Sequence, residues 1–503
     1  MQEQLNITEF PKVECKKYDK ILKRLNPKSV TLVFPSAHIN SPASMFGHTF
    51  LRINSGYNSK LLSFAINYAA DANPNKTNGV TFAIKGLTGG YFGKYSLLPY
   101  YEKLKEYRDT EQRDIWEYDL NLNEKEVLKM VQHIWELNNT HSYYYFFTEN
   151  CSYNMLWFIE SARPSINLRK YFNYQVLPLE TVHVAKEEGL IVKTHYRASK
   201  RTKILEYEQL IDLKYIYLVK DILNSKIKIE TILENKEINK QQKRYILEVS
   251  IELLEYSFTK NDMQKEEFIK LFHTLSKARA TLGLGKKLTL QTPNNPLDSH
   301  RSIKISSGVS MRDKTEVGLL GIRPAYHGLD DSSYGFLRGT QIEFLNLALL
   351  YSDKKIAVDS FTLLSIASFA QSSLFIDAFS WRMRIGFDRN SSEEDDNSFI
   401  GTLGSGFSWG NKYGYTYIMI DPFLYGSKEL SSAIGGSVGV VIDSSDFMHT
   451  NMELTKHYYD NGEHQLLMKF SQNFRTSQNT QVQFKYDYKK KFESFGIFFN
   501  YYF

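Results

Sequence analysis

The chain has few cysteines, no long apolar run and no excess of one charge. Its 503 residues include two cysteines, Cys15 and Cys151, too few for a disulfide framework and without the paired spacing of metal ligands, although one bridge between them stays open. No stretch reaches the roughly 20 apolar residues of a membrane-spanning helix. Basic and acidic residues are interspersed and the formal net charge is +6, so nucleic-acid binding is not indicated.

Aromatic residues, in contrast, are abundant. The 34 tyrosines and 33 phenylalanines exceed what a soluble cytoplasmic enzyme usually carries, and such a content is familiar from proteins with aromatic girdles at a membrane surface. The length predicts two or three domains. Three segments differ in pattern: a mixed α/β region within 1–200, a Lys- and Glu-rich helical connector at 201–295, and a strand-rich region at 296–503.

The third segment alternates apolar and polar residues with a period of two. In FSWRMRIGFD one face carries Phe379, Trp381, Met383, Ile385 and Phe387, and the other carries Ser380, Arg382, Arg384, Gly386 and Asp388. The last strand repeats the pattern and ends on Phe503, which resembles bacterial outer-membrane proteins that close with a C-terminal phenylalanine. About twelve such strands fit between 302 and 503, which predicts an antiparallel transmembrane β-barrel. A soluble sandwich with one solvated face is the alternative, because alternation alone does not exclude it.

The first segment places a cysteine where a helix is predicted to begin. In TENCSYNMLWFIE, Thr148, Glu149 and Asn150 are cap-type residues ahead of an apolar helical run, so Cys151 is expected in the first turn, where the helix dipole favours a thiolate. Upstream, His48 begins an apolar strand and is a candidate base. The structural alternative is that Cys151 is a small buried apolar residue and His48 a satisfied core histidine.

The blocks FGHTFLR and ENCSYN resemble the circularly permuted papain-like, NlpC-type superfamily that includes lecithin:retinol acyltransferase. Together with LVFPSAHINSPASMFGHTFLRI, LLSFAINYAAD and YYFFTENCSYNML, they resemble more closely the family typified by the N-terminal periplasmic domain of Lnb, a bacterial lipoprotein N-acyltransferase. The resemblance covers roughly residues 30–200. It implies an α+β thiol domain with Cys151 as the nucleophile and His48 as the base.

The resemblance also implies a third residue that orients the imidazole, by analogy with other triads. Asn67 is favoured and Asp71 is the runner-up. The backbone amide of Cys151, with Asn150 or Ser44, is expected to hold the oxyanion. No cofactor and no metal are expected, because His38 and His48 lack further ligands nearby. GFSWG, with Ser408, lies among alternating strands and is a chance match to a nucleophile elbow, and KGLTGGYFGKY is interpreted as a mobile flap over the thiol site.

Three functions stay open. The favoured one is an outer-membrane-anchored cysteine acyltransferase that moves a fatty acyl chain from a phospholipid, through a thioester, to an amine such as a lipoprotein N-terminus. The second is a thiol amidase or peptidase acting on peptidoglycan. The third is a non-enzymatic barrel with a periplasmic binding domain. A barrel predicts outer-membrane localisation with the N-terminal domain in the periplasm, and inward charged and amide side chains predict an anchor or a narrow pore.

Overall fold

The computed structural model describes residues 14–36, 47–57, 59–71, 79–286, 288–388, 398–426, 430–443, 445–489 and 492–503. These residues form two compact units. The first lies within Met1–Phe34, His48–Tyr107 and Trp116–Arg197, and the second within Pro35–Gly47, Arg108–Ile115 and Ala198–Phe503.

A seven-stranded sheet organises the first unit. Its strands are β1 (Pro27–Pro35), β2 (Phe50–Ser55), β3 (Phe64–Ala70), β4 (Tyr91–Pro99), β5 (Ile115–Leu120), β6 (His141–Tyr144) and β7 (Ile191–Arg197). They lie in the order β6-β4-β3-β2-β1-β5-β7, and β1 to β4 pair antiparallel. The strands that carry the candidate site, β2 and β3, are therefore central.

Six α-helices accompany this sheet in the described part of the chain. They are α1 (Lys16–Leu25), α2 (Gly79–Thr88), α3 (Tyr100–Leu104), α4 (Glu124–Glu136), α5 (Cys151–Ala162) and α6 (Pro178–Glu187). The α4 helix begins with a capping box, in which Asn123 and Glu126 each bond the other's backbone N–H. The α5 helix packs on β2 and β3 and between α4 and α6, and its Met155, Phe158 and Ile159 are fully buried. The α+β arrangement is confirmed, while the permuted papain-like assignment stays a prediction.

Helices also open the second unit. They are α7 (Lys200–Leu210), α8 (Ile216–Leu223), α9 (Ile229–Glu234), α10 (Lys240–Thr259) and α11 (Lys265–Thr281). Buried residues of α7, α8 and α10 form one core, which includes Ile204, Val219, Ile246 and Leu254. Among the described residues, no helix is both long enough and apolar enough to cross a membrane.

Twelve long antiparallel strands follow and close on themselves. They are β8 (Lys304–Arg312), β9 (Thr315–Arg323), β11 (Thr340–Ser352), β12 (Lys355–Ser368), β14 (Ser380–Asp388), β15 (Ser398–Asn411), β16 (Gly414–Gly426), β17 (Ser431–Ile442), β18 (Met448–Tyr459), β19 (His464–Ser477), β20 (Thr480–Lys489) and β21 (Phe492–Tyr502); the short β10 (Ala325–His327) and β13 (Gln371–Ser372) are additional. β21 pairs with β8, and β9 pairs with β11. The predicted barrel of about twelve strands is confirmed.

Apolar and polar side chains alternate along the strands, so that apolar residues face outward and polar residues face the interior of the barrel. On the last strand Phe495, Ile497, Phe499 and Tyr501 are exposed, as predicted. On β14, Arg382 instead bonds inward to Asp421 (Nη2–Oδ2 2.6 Å) and to Glu453. An apolar, aromatic-rich outer surface over a charged interior is the arrangement of an outer-membrane barrel and excludes a sandwich with a solvated face.

The connection between β10 and β11, residues 328–339, bonds to side chains of several strands of the barrel. Asp330 bonds to Asn451 on β18 (Oδ1–Nδ2 2.9 Å) and to Lys485 on β20 (Oδ2–Nζ 3.1 Å). Asp331 bonds to Lys304 on β8 (Oδ1–Nζ 3.0 Å). Contacts with strands this far apart in the ring place the connection inside the barrel.

Candidate active site

The start of α5 places the thiol. Asn150 is the N-cap, and its Oδ1 accepts the backbone N–H groups of Ser152 (3.0 Å) and Tyr153 (3.2 Å). Cys151 is the first helical residue and only 4% exposed. Both cysteines are free, so the bridge that the sequence left open is absent.

Asn150 has a structural task rather than the predicted contact with an oxyanion. Its amide nitrogen donates to the backbone oxygens of Phe146 (3.0 Å) and Val176 (2.7 Å). Because both amide hydrogens are used in these bonds and the oxygen caps the helix, the side chain holds the loop before α5 in place. Ser44, the other predicted oxyanion contact, lies outside the described residues, as does His38.

His48, just before β2, meets Asn67, in the middle of β3. His48 lies two residues before β2, and its Nε2 is 3.0 Å from Oδ1 of Asn67 on β3. Since an amide oxygen accepts, Nε2 carries the hydrogen, which leaves Nδ1 for the proton exchanged with the thiol. The ring also stacks on Tyr107, with centroids 5.5 Å apart. Asp71, the runner-up, is exposed and pairs with Lys94 (Oδ2–Nζ 2.5 Å).

Charge and hydrogen bonding make Cys151 acidic in spite of its burial. Burial by itself raises the pKa of the thiol, but the charge of His48, a hydrogen bond from the His48 side chain and one from the Thr49 backbone outweigh it and lower the pKa of Cys151 to about 6. A thiol of lowered pKa beside a histidine is the arrangement that a cysteine nucleophile requires.

Two further groups join β2 to α5 and were not identified from the sequence. Thr49 donates its hydroxyl to Ser152 Oγ (2.8 Å), and Ser152 Oγ lies 3.7 Å from Cys151 Sγ. Thr49 directly follows His48 and Ser152 directly follows Cys151, and this adjacency could have identified both from the sequence. This bond fixes the distance between the strand that carries the base and the helix that carries the nucleophile.

A tyrosine cluster on β6 and β3, also missed, reaches the start of α5. Tyr144 Oη accepts the backbone N–H of Cys151 (3.2 Å), and its ring stacks on Tyr68 at 5.4 Å. Tyr68 Oη lies 2.7 Å from Ser142 Oγ. The cluster lies beside an open groove of about 620 Å³ lined by Phe92, His141, Ser142, Tyr143, Tyr145, Thr148 and Glu149. The groove reaches to within two residues of Cys151.

The interpretation of residues 85–95 as a flap is wrong. Residues up to Thr88 belong to α2 and Tyr91 begins β4. Gly89 (φ +76°) makes the turn between them, and a Cβ there would meet the Tyr145 ring at 2.5 Å. The segment is thus part of the sheet and its supporting helix. Ser408 lies within β15 and is buried, in keeping with a chance match.

One group in the second unit has the spacing of a metal site. One ligand atom each of His300, His327 and Asp331 lies within 4.8 Å of the others. Asp331 also bonds to Lys304 and, at 2.5 Å, to Arg323. Two positive charges on the same carboxylate oppose a bound cation, so the group is a structural network inside the barrel.

Three families match consecutive parts of the chain. Residues 17–188 match the Lnb N-terminal periplasmic domain. Residues 194–290 match DUF7842 and residues 293–502 match DUF7840, both described as domains of unknown function. No curated protein matches the chain.

Solved barrels are similar to the C-terminal part. KdgM porin is 11% identical, with 40% of this chain and 99% of that one covered and a TM-score of 0.27. NanC porin is 9% identical, with 40% and 100% covered and a TM-score of 0.28. An outer membrane channel from Pseudomonas putida F1 is 8% identical, with 41% and 96% covered and a TM-score of 0.28.

Proposed function

From the premise that this is an outer-membrane protein, with an Lnb N-terminal periplasmic domain at residues 17–188 followed by a closed barrel, we propose that it is a thiol acyltransferase. Cys151 takes a fatty acyl chain from a phospholipid and passes it to an amine such as a lipoprotein N-terminus. One observation carries the proposal: a buried thiol at a helix start, made acidic by a histidine that an asparagine orients.

In the first step the Cys151 thiolate attacks an ester carbonyl of the phospholipid. A C–S bond forms, the carbonyl oxygen takes the negative charge, and the backbone N–H of Cys151 stabilises it. When the C–O bond breaks, the His48 imidazolium donates its proton to the leaving alkoxide. The products are an acyl thioester on Cys151 and a lysophospholipid.

In the second step a neutral amine attacks the thioester carbonyl. His48 accepts a proton from the amine nitrogen, the C–S bond breaks, and Cys151 leaves as a thiolate beside the imidazolium. The product is an amide. Asn67 holds the imidazole ring in one orientation through both steps, so that one nitrogen exchanges the proton with sulfur, amine and alkoxide.

Attachment to a membrane protein supports a lipid donor. A barrel embedded in the outer membrane keeps the tethered thiol domain near phospholipid, at a high effective concentration. The groove next to the site contributes three aromatic rings, and those of Phe92 and Tyr143 are 5.3 Å apart. An acyl chain would bury apolar surface there at about 25 cal/mol per Å².

Intact mass spectrometry tests the proposal. The full chain in detergent is incubated with phosphatidylethanolamine, with Cys151→Ser as the inactive variant and Cys15→Ser as the matched control, because Cys15 is free but exposed. We expect one fatty-acyl increment on wild type and on Cys15→Ser, removed by hydroxylamine and absent from Cys151→Ser. No increment on folded protein contradicts the lipid donor, and release of peptide products from peptidoglycan would then support the amidase.

A further inference from the structure

The hydrogen-bonding partner of the Cys151 backbone N–H is a phenol. Tyr144 Oη accepts this N–H at 3.2 Å, and burial and the neighbouring Cys151 thiol raise the pKa of the phenol. Tyr144 is 8% exposed. One buried hydroxyl group therefore lies directly at the backbone amide of the nucleophile's own residue.

The phenol oxygen of Tyr144 lies where the carbonyl oxygen of a substrate is expected to bind. When a thiolate attacks a carbonyl, the oxygen that becomes negative accepts a hydrogen bond from the N–H of the nucleophile's own residue at the helix start. In the free protein the phenol oxygen takes that same N–H. Tyr144 Oη thus stands in for the carbonyl oxygen of the substrate.

We propose that Tyr144 supplies the side-chain half of the oxyanion site. The substrate oxygen displaces the phenol oxygen from the Cys151 N–H, and the phenol then donates its O–H to the oxyanion. No proton leaves the tyrosine in this step. The assignment rests on the proposed function only in requiring that Cys151 attack a carbonyl, whatever the donor.

Tyr68 is the positioning residue for Tyr144. Its ring stacks on Tyr144 at 5.4 Å, and its hydroxyl is 2.7 Å from Ser142, on the strand that carries Tyr144. Gly93 leaves room for this ring, because a Cβ there would come within 2.1 Å of Tyr68. Asn67, the neighbour of Tyr68 on β3, orients His48. The same strand thus positions the base and the oxyanion donor.

The test compares two reactions of the same sulfur in the full chain in detergent. Acylation by 4-nitrophenyl butyrate passes through an oxyanion, whereas alkylation by iodoacetamide does not. For Tyr144→Phe we expect the acylation rate constant to fall about 10²-fold or more, as for other oxyanion donors, and alkylation to stay within about threefold. Tyr95→Phe is the matched control, since the Tyr95 ring contacts Tyr68 (centroids 4.6 Å apart) but its hydroxyl bonds to Asn154 (2.6 Å).

Parallel losses in both reactions would overturn the assignment, because they would indicate an effect on the thiolate or on folding. Unchanged acylation would overturn it as well, and so would a wild type that forms no acyl-enzyme with the ester. Tyr68→Phe provides a second variant in case Tyr144→Phe does not fold, with a smaller loss of acylation and normal alkylation expected. Acylation by the ester but not by phospholipid would contradict the proposed donor while leaving Tyr144 assigned.

Discussion

At the scale of single residues, the acidity of Cys151 depends on one neighbour. Burial raises the pKa of the thiol, and His48 brings it down to about 6. Without His48 the burial effect stays, so we expect the pKa of Cys151 in His48→Gln to rise above the ordinary thiol value of about 8.5. The thiolate forms as pH rises through the pKa, so at pH 7 the wild type is mostly thiolate and the variant mostly thiol.

The measurement is the rate of iodoacetamide alkylation against pH in a Cys15→Ser background. We expect a midpoint near pH 6 for the parent protein and, for His48→Gln, a rate at pH 7 lower by at least about tenfold. Tyr95→Phe serves as the control variant. A midpoint that stays near 6 after the histidine is replaced would show that another group stabilises the thiolate.

The sequence led to Cys151, His48 and Asn67 because each lies in a short block with a recognisable local pattern. The structure brings these three together, while their catalytic roles stay predictions. Tyr144 could not be found in this way, since its contact depends on how β6, a strand of four residues, lies beside α5. Asn150 shows the opposite problem, because a cap residue and an oxyanion donor look alike until the hydrogen-bond partners are known.

At the scale of secondary-structure elements, a buried ion pair joins three strands of the first sheet. Glu117 on β5 bonds to Arg52 on β2 (Oε1–Nη1 2.7 Å), and both side chains are fully buried. Arg197 on β7 and the Tyr100 hydroxyl (2.6 Å) bond to the same carboxylate. Although burial alone raises the pKa of Glu117, these partners lower it to about 2. Glu117 therefore stabilises the sheet as an anion.

We expect Glu117→Ala to lower the free energy of unfolding of the first unit by about 3–5 kcal/mol, because Arg52 is left buried without its partner. The measurement is urea unfolding of the full chain in detergent, followed by tryptophan fluorescence. Glu124→Ala is the control: Glu124 pairs with Lys28 at the surface, and loss of such a pair costs about 0–1 kcal/mol. Equal midpoints for the two variants would contradict the prediction.

The contribution of Glu117 to the free energy of unfolding should decrease as the pH is lowered. Because the folded pKa of Glu117 is depressed, its contribution to stability is complete above the unfolded pKa of about 4.5 and is lost as pH falls through the folded value of about 2. The difference in stability between wild type and Glu117→Ala should therefore shrink between these pH values. A stability difference that is constant over this pH interval would show that the charge of the Glu117 carboxylate does not contribute to stability.

Elements differed in how well the sequence predicted them. The barrel strands were predictable because apolar residues that recur every second position over about ten residues cannot share one face of a helix, and Arg382 faces inward as its alternation required. The helix end and strand start within residues 85–95 were not predictable, since the glycines of this segment also fit a mobile loop. What decides the structure there is a tertiary contact: a Cβ at Gly86 would come within 2.2 Å of the Phe146 ring, so the glycine allows α2 to approach the chain before α5.

At the scale of the whole molecule, charged and amide side chains occupy part of the barrel interior, beside cavities of about 400 and 290 Å³. The sequence predicted inward charged and amide side chains, but not that residues 328–339 would join them. Asp330 and Asp331 bond to residues on β8, β18 and β20, so this connection bridges opposite walls. Buried, paired charges of this kind resist displacement, since removing one partner leaves the other desolvated. We therefore expect the barrel to anchor the thiol domain rather than to conduct solutes.

Planar-bilayer recordings test this arrangement. We expect the wild-type protein to show no stable open-channel current, and we expect replacement of residues 329–337 by a short Gly-Ser linker to produce discrete conductance steps, because the contacts across the lumen are lost. A variant with the exposed turn residue Asn461 changed to Ser is the control and should stay closed. Wild-type conductance comparable to that of an open porin, or a replacement variant that stays closed, would contradict the view that this connection blocks the barrel.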